Sequence, residues 1–195
     1  MAPSPVISLA NRACAANMDL ASARPLSVDD EQPEQQVDID DDTPCVSDAG
    51  MHSTYALFRL PDSGPAYSID VSSLAQGETL FAPRLLLLDV HGGIVRIVAK
   101  NDFMFRGSTL KATLFMNAGN IARERYLAVT SAPEAVGTQD SRVVMGQGGG
   151  YVSGGAGVGA YIYWGTDTVQ GLTYTHNGQV SVSARVLKPL QAGTN

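Results

Sequence analysis

Apolar and polar residues alternate with a period of two from Tyr67 to Ser72: Tyr67, Ile69 and Val71 fall on one side, and Ser68, Asp70 and Ser72 on the other. That period predicts a half-buried β-strand. The same signal recurs along the chain. Thr54 to Leu60 is a run of β-formers, closed by the turn sequence Pro61-Asp62-Ser63-Gly64-Pro65, whose prolines and glycine punctuate strands. Phe81 to Val90 follows, and its run Leu85-Leu86-Leu87-Leu88 predicts a strand covered on both faces. His91-Gly92-Gly93 turns the chain into Ile94–Val98, and Leu110–Met116 and Tyr126–Ser131 are further strands. Between these last two, Ile121 to Arg125 reads as a helical turn. Leu172–His176 and Gln179–Val186 flank Asn177-Gly178, a pair suited to the positive φ angles of a type I′ turn, so the spacing predicts a hairpin.

The pattern gives an all-β protein, an antiparallel β-sandwich of about 7–9 strands with an irregular N-terminal arm. Its divisions are an arm over 1–26, a single sandwich domain over 27–190 and a tail over 191–195. Helical periodicity is missing over any long stretch, which argues against a βαβ layout. Within the first part of the domain Val37-Asp38-Ile39-Asp40 forms a short alternating strand.

Charge changes the picture in one place. Only 16% of the 195 residues are charged and the net charge is −6. Residues 25–58 carry nine acidic side chains and no Lys or Arg. Lysines occur only at Lys100, Lys111 and Lys188, so there is no basic footprint for nucleic acid or an anionic membrane. Asp40-Asp41-Asp42 is consecutive rather than alternating, which does not fit a calcium loop. It reads as a solvated acidic edge.

Cys14 and Cys45 match no zinc spacing. A disulfide between them would close a loop of about 32 residues and contribute about 3–4 kcal/mol; two unrelated thiols is the other reading. No run of about 18 apolar residues is present to form a membrane-spanning helix. The first ten residues have neither the basic start nor the apolar length of a signal peptide. A mature exported chain with its signal removed is the favoured reading, a cytoplasmic protein the other.

The Gly-rich stretch Gly146–Gly159 is expected to be a long, mobile loop between two strands. Gly155-Ala156-Gly157-Val158-Gly159-Ala160 matches the dinucleotide fingerprint in letters only, because Tyr161-Ile162-Tyr163-Trp164 is no helix opening. The aromatics Tyr151, Tyr161, Tyr163 and Trp164 are the candidate binding residues, suited to a sugar or a protein surface; the plainer reading is that they pack the core or hold the loop down. His52, His91 and His176 form no metal or catalytic pattern. His91 and His176 stand beside expected turns, where a histidine is solvent-exposed and inert. No catalytic residue, metal or cofactor is expected.

Phe81-Ala82-Pro83-Arg84-Leu85-Leu86-Leu87-Leu88-Asp89 resembles a sequence block of the MalM family, the maltose operon periplasmic protein and its relatives. Four further blocks are similar to that family in order: Val37-Asp38-Ile39-Asp40, Leu57-Phe58-Arg59-Leu60-Pro61, Tyr126-Leu127-Ala128-Val129-Thr130-Ser131 and Gly178-Gln179-Val180-Ser181-Val182. The resemblance covers roughly residues 14–187, with no counterpart for 146–165. Longer members carry a helical C-terminal region, and no function residing there is carried over. The resemblance implies an exported protein, but no catalytic residue, and its maltose link is one of gene neighbourhood. The expected function is therefore a non-enzymatic periplasmic or cell-envelope accessory protein that contacts a protein partner or plays a structural role. The alternative is a carbohydrate-binding module whose ligand is an oligosaccharide. Exposed sheet edges also permit a homo-oligomer.

Overall fold

The computed structural model describes residue 9 and residues 11–28, 34–48, 50–153 and 159–187. The strands are β1 (Arg24–Pro25), β2 (Gln35–Ile39), β3 (Cys45–Asp48), β4 (Met51–Arg59), β5 (Tyr67–Leu74), β6 (Thr79–Phe81), β7 (Pro83–Leu88), β8 (Ile94–Val98), β9 (Met104–Arg106), β10 (Thr109–Met116), β11 (Tyr126–Ser131), β12 (Gln139–Ser153), β13 (Gly159–Thr175) and β14 (Gly178–Val186). The one α-helix among the described residues, α1 (Ala118–Arg123), is capped by the Asn117 side chain, which accepts from the Asn120 N–H. It stands where the sequence predicts a helical turn.

Two sheets make the sandwich. The first has the order β1-β4-β11-β7-β8 with β3 paired to β4; the second has the order β2-β14-β5-β10-β9. Most pairs are antiparallel, and two short parallel pairs, β1 with β4 and β6 with β13, interrupt that rule. The core between the sheets holds Phe58, Leu85, Leu87, Leu127 and Val129 from the first and Ile69, Val71, Leu114, Val180 and Val182 from the second. These positions lie two apart along their strands, as period-two patterning requires.

The Leu85–Leu88 run meets its expectation. Leu85 and Leu87 enter the main core, whereas Leu86 and Leu88 join a second cluster with Val46, Tyr55, Leu57 and Ala128 on the sheet's outer face. Met18, Leu20 and Ala23 of the N-terminal arm pack over that cluster.

Two sequence readings need correction. The first is the Asn177-Gly178 hairpin. β13 and β14 do not pair with each other: β14 lies between β2 and β5, and β13 lies between β12 and β6. The chain passes from one sheet to another at this point. Gly178 has φ 149°, outside the αL region near +57° that a type I′ turn uses. Its use is close approach, because an added Cβ would stand 2.9 Å from the Phe81 Cβ. The second is the loop expected at Gly146–Gly159. β12 and β13 pair continuously from Gln139↔Thr173 to Ser153↔Gly159, forming a ribbon on the order of 50 Å long at about 3.4 Å per residue. Glycine alone does not preclude a strand when the partner strand supplies β-formers, here Tyr161-Ile162-Tyr163-Trp164.

Candidate functional site

Two candidate features stand out, the first being the ribbon. Its root is well anchored. Tyr174 is buried and donates its hydroxyl to Asp140 Oδ2 at 3.0 Å. Lys100 Nζ stands 3.3 Å from the same carboxylate and 4.2 Å from the Tyr174 ring centroid. Burial opposes ionisation of Asp140, but the Ser141 N–H, the Tyr174 hydroxyl and Lys100 together hold its carboxyl below the usual range. Burial, reinforced by that carboxylate, pushes the Tyr174 hydroxyl up. Beyond the root, β13 pairs only with β12 among the described strands, since its contact with β6 ends at Thr173–Thr175. Among the described residues, no further strand pairs with the ribbon's remaining main-chain edges.

The four candidate aromatics all lie on this ribbon. Tyr151 stands opposite Tyr161, Tyr163 opposite Gly149, and Trp164 opposite Gly148. The backbone therefore brings them to one end of one hairpin. Their side chains lie outside the described residues, as do residues 154–158, which hold the start of the fingerprint-like glycine sequence.

The second feature is a pocket on the outer face of the first sheet. Cys14 and Cys45 form a disulfide, which resolves the question left open by their spacing. The bond starts the arm against β3, where Ala15 bridges Val46 and accepts from the Ser47 N–H at 2.8 Å. Further along, the Asp19 N–H donates to the Tyr55 hydroxyl at 3.1 Å. At the arm's end the Leu26 N–H donates to the Arg59 carbonyl at 2.9 Å, and Arg24-Pro25 runs parallel to Phe58-Arg59. The arm stands off the sheet between these ties, leaving a pocket of about 260 Å³. Leu86, Leu88 and Ile94 give it an apolar floor, Met18 and Leu20 a roof, and Arg84, Ser53 and Thr130 a polar end. The registers Thr130↔Arg84 and Thr130↔Tyr55 put that polar end on three adjacent strands. Sequence reading missed these residues. The available signal was Arg84, a lone charge at the head of the leucine run.

The histidines separate by environment. His91 is exposed at the pocket mouth, as a turn residue should be. His52 Nδ1 lies 2.7 Å from the Leu9 carbonyl and is half-buried. His176 departs from the exposed, inert reading. Its Nδ1 is 2.8 Å from the Ser131 Oγ, which also accepts from the Thr54 N–H at 3.1 Å. Burial holds its pKa below the usual histidine value. Ser131 is fully buried, and this pair joins β11 to the β13–β14 crossover.

Among the described residues no three His, Cys, Asp or Glu side chains group as metal ligands. The Asp40 carboxylate instead organises its own turn, accepting from the Asp42 and Thr43 N–H groups. No described helix is long and apolar enough to cross a membrane. No curated protein and no solved structure matches the chain. The model of the family described as maltose operon periplasmic protein precursor (MalM) matches residues 50–141. The match takes in the blocks at 57–61, 81–89 and 126–131 and ends as the ribbon begins. Over that segment, a little under half of the chain, the protein is similar to the MalM family, whose description is that of a periplasmic protein.

Proposed function

We propose that the protein is a non-enzymatic accessory protein of the periplasm or cell envelope that works by contacting another protein, with the β12–β13 ribbon as its contact element. The observation that carries this reading is the ribbon's pairing. A two-stranded ribbon is only marginally stable alone in water, and this one extends far past its last tie to β6 with edges that no described strand pairs. An added strand or a packed surface would satisfy those edges. The burial of Ser131 supports a non-catalytic role for the Ser131–His176 pair.

Val169 on β13 is 73% exposed, so a photo-reactive residue placed there reports contacts without disturbing the core. In cells expressing the full chain, a discrete protein adduct is expected at this site and not at an equivalent exposed position on β8. Adducts that are absent, or equal at both positions, would remove the ribbon as the contact element.

The second reading is carbohydrate binding, supported by the register that sets Tyr163 and Trp164 opposite glycines. Trp164 is the single tryptophan of the chain. A maltodextrin titration that leaves its fluorescence unchanged at millimolar sugar would eliminate this reading.

A further inference from the structure

The pocket beneath the arm combines features that a merely structural gap lacks. Its floor and roof are apolar, yet its polar end holds a guanidinium that the fold engages only loosely. Ser53, only 3% exposed, lies in the pocket lining beside Arg84 and Thr130. Arg84 is only loosely engaged. Its Nε donates to the Thr130 Oγ1 at a long 3.4 Å, and its nearest carboxylate, Glu134, is 3.9 Å from Nη1 and largely solvent-exposed. A guanidinium offers five N–H donors in a planar fork that matches a carboxylate. Arg84 is also the one formal charge among the residues lining the pocket, so nothing in the lining neutralises it. A few convergent polar groups at one end of an apolar pocket is the usual design of a small-molecule site, and 260 Å³ falls just below the roughly 300–1,000 Å³ range for drug-sized ligands, which suits a smaller molecule.

We propose that this pocket binds a small amphipathic carboxylate, its acid group held by Arg84 and Ser53 and its apolar body lying over Leu86, Leu88 and Ile94 beneath Met18 and Leu20. The floor continues outward onto Ile94 and Ile97, which are 53% and 56% exposed on β8, so a chain longer than the pocket would run out along apolar surface. The disulfide keeps the roof in place, which ties the site to an oxidising compartment. The site is separate from the ribbon and does not depend on the ribbon's role.

The test is calorimetric titration of the full, oxidised chain with sodium octanoate, with 1-octanol in parallel. Octanoate is expected to bind at least ten-fold more tightly than octanol. Arg84→Met, which keeps an apolar stem, is expected to weaken octanoate at least ten-fold without strengthening octanol. Should that variant not fold, Arg84→Lys retains the charge but loses the fork, and a three- to ten-fold weakening is expected. Ser53→Ala is expected to weaken octanoate two- to five-fold. Failure of octanoate to bind, equal binding of octanol, or unchanged octanoate affinity in the folded arginine variants would each overturn the proposal.

Discussion

The two faces of the first sheet are made by the same strands and closed by different means. On the inner face Phe58, Leu85, Leu87 and Leu127 meet the second sheet in the main core. On the outer face Tyr55, Leu57, Leu86 and Leu88 meet only the arm and its neighbours. The inner closure is sheet against sheet, where side chains from two pleated surfaces interdigitate. The outer closure is a strip of chain with almost no regular structure, held by a disulfide at one end and main-chain hydrogen bonds at the other. A strip cannot fill the face evenly, and the gap it leaves is the pocket. The difference shows how one sheet can serve both stability and binding: the rigid inner face supports the outer one, where incomplete packing leaves room for a ligand.

The sharpest way to break this contrast is to damage each face separately. Phe58→Ala in the inner core should destabilise the protein by about 3–5 kcal/mol, read by chemical denaturation, with the arm released only when the whole domain unfolds. Replacing both cysteines by serine, C14S with C45S, should cost about 3–4 kcal/mol in the chain-entropy model, since the bond closes a 31-residue separation. Here the outer cluster should open first, giving binding of a hydrophobic dye while the inner core keeps its slow amide exchange. If dye binding and core exchange rise together, the two faces are one cooperative unit and the contrast fails. Tyr55→Phe removes the acceptor of the Asp19 N–H and should cost about 1 kcal/mol, with faster exchange of that amide and no change in the inner core.

The smallest effect is one of pH. His176 titrates below the ordinary histidine value of 6.5 in the folded protein because burial disfavours its charged form. Between that folded value and 6.5 the unfolded chain binds more protons than the folded one, so stability falls as pH is lowered through this window. Above the window the contribution is intact. His176→Asn should flatten this part of the profile, measured as melting temperature against pH. A slope identical to that of the parent chain would show that the histidine is not the group responsible.

Strand identity and the burial of both faces of β7 were legible in the sequence, because alternation and apolar runs are local and the strand repeat of two converts them directly into faces. The block at Phe81–Asp89 also pointed to the family that the match over residues 50–141 supports. Partner choice was not legible in the same way. Asn177-Gly178 carries a good local hairpin signal, yet β14 pairs with β5 and β2, because inserting Val180, Val182 and Ala184 into the main core outweighs one turn's preference. The glycines of β12 read as a loop because their strand character resides in the residues opposite them on β13.

By itself the sequence determined the all-β class, most strand positions, the two-sided burial of the leucine run and the pair of cysteines available for bonding. Only the tertiary structure decided that the cysteines join, that the arm roofs the outer face, that Arg84 and Ser53 converge at one end of a pocket, and that His176 meets Ser131. The physical reason is range. Period-two patterning acts between residues two apart, whereas each of these other features brings together residues separated by about 30 to 70 positions, and such meetings are set by which faces find burial together.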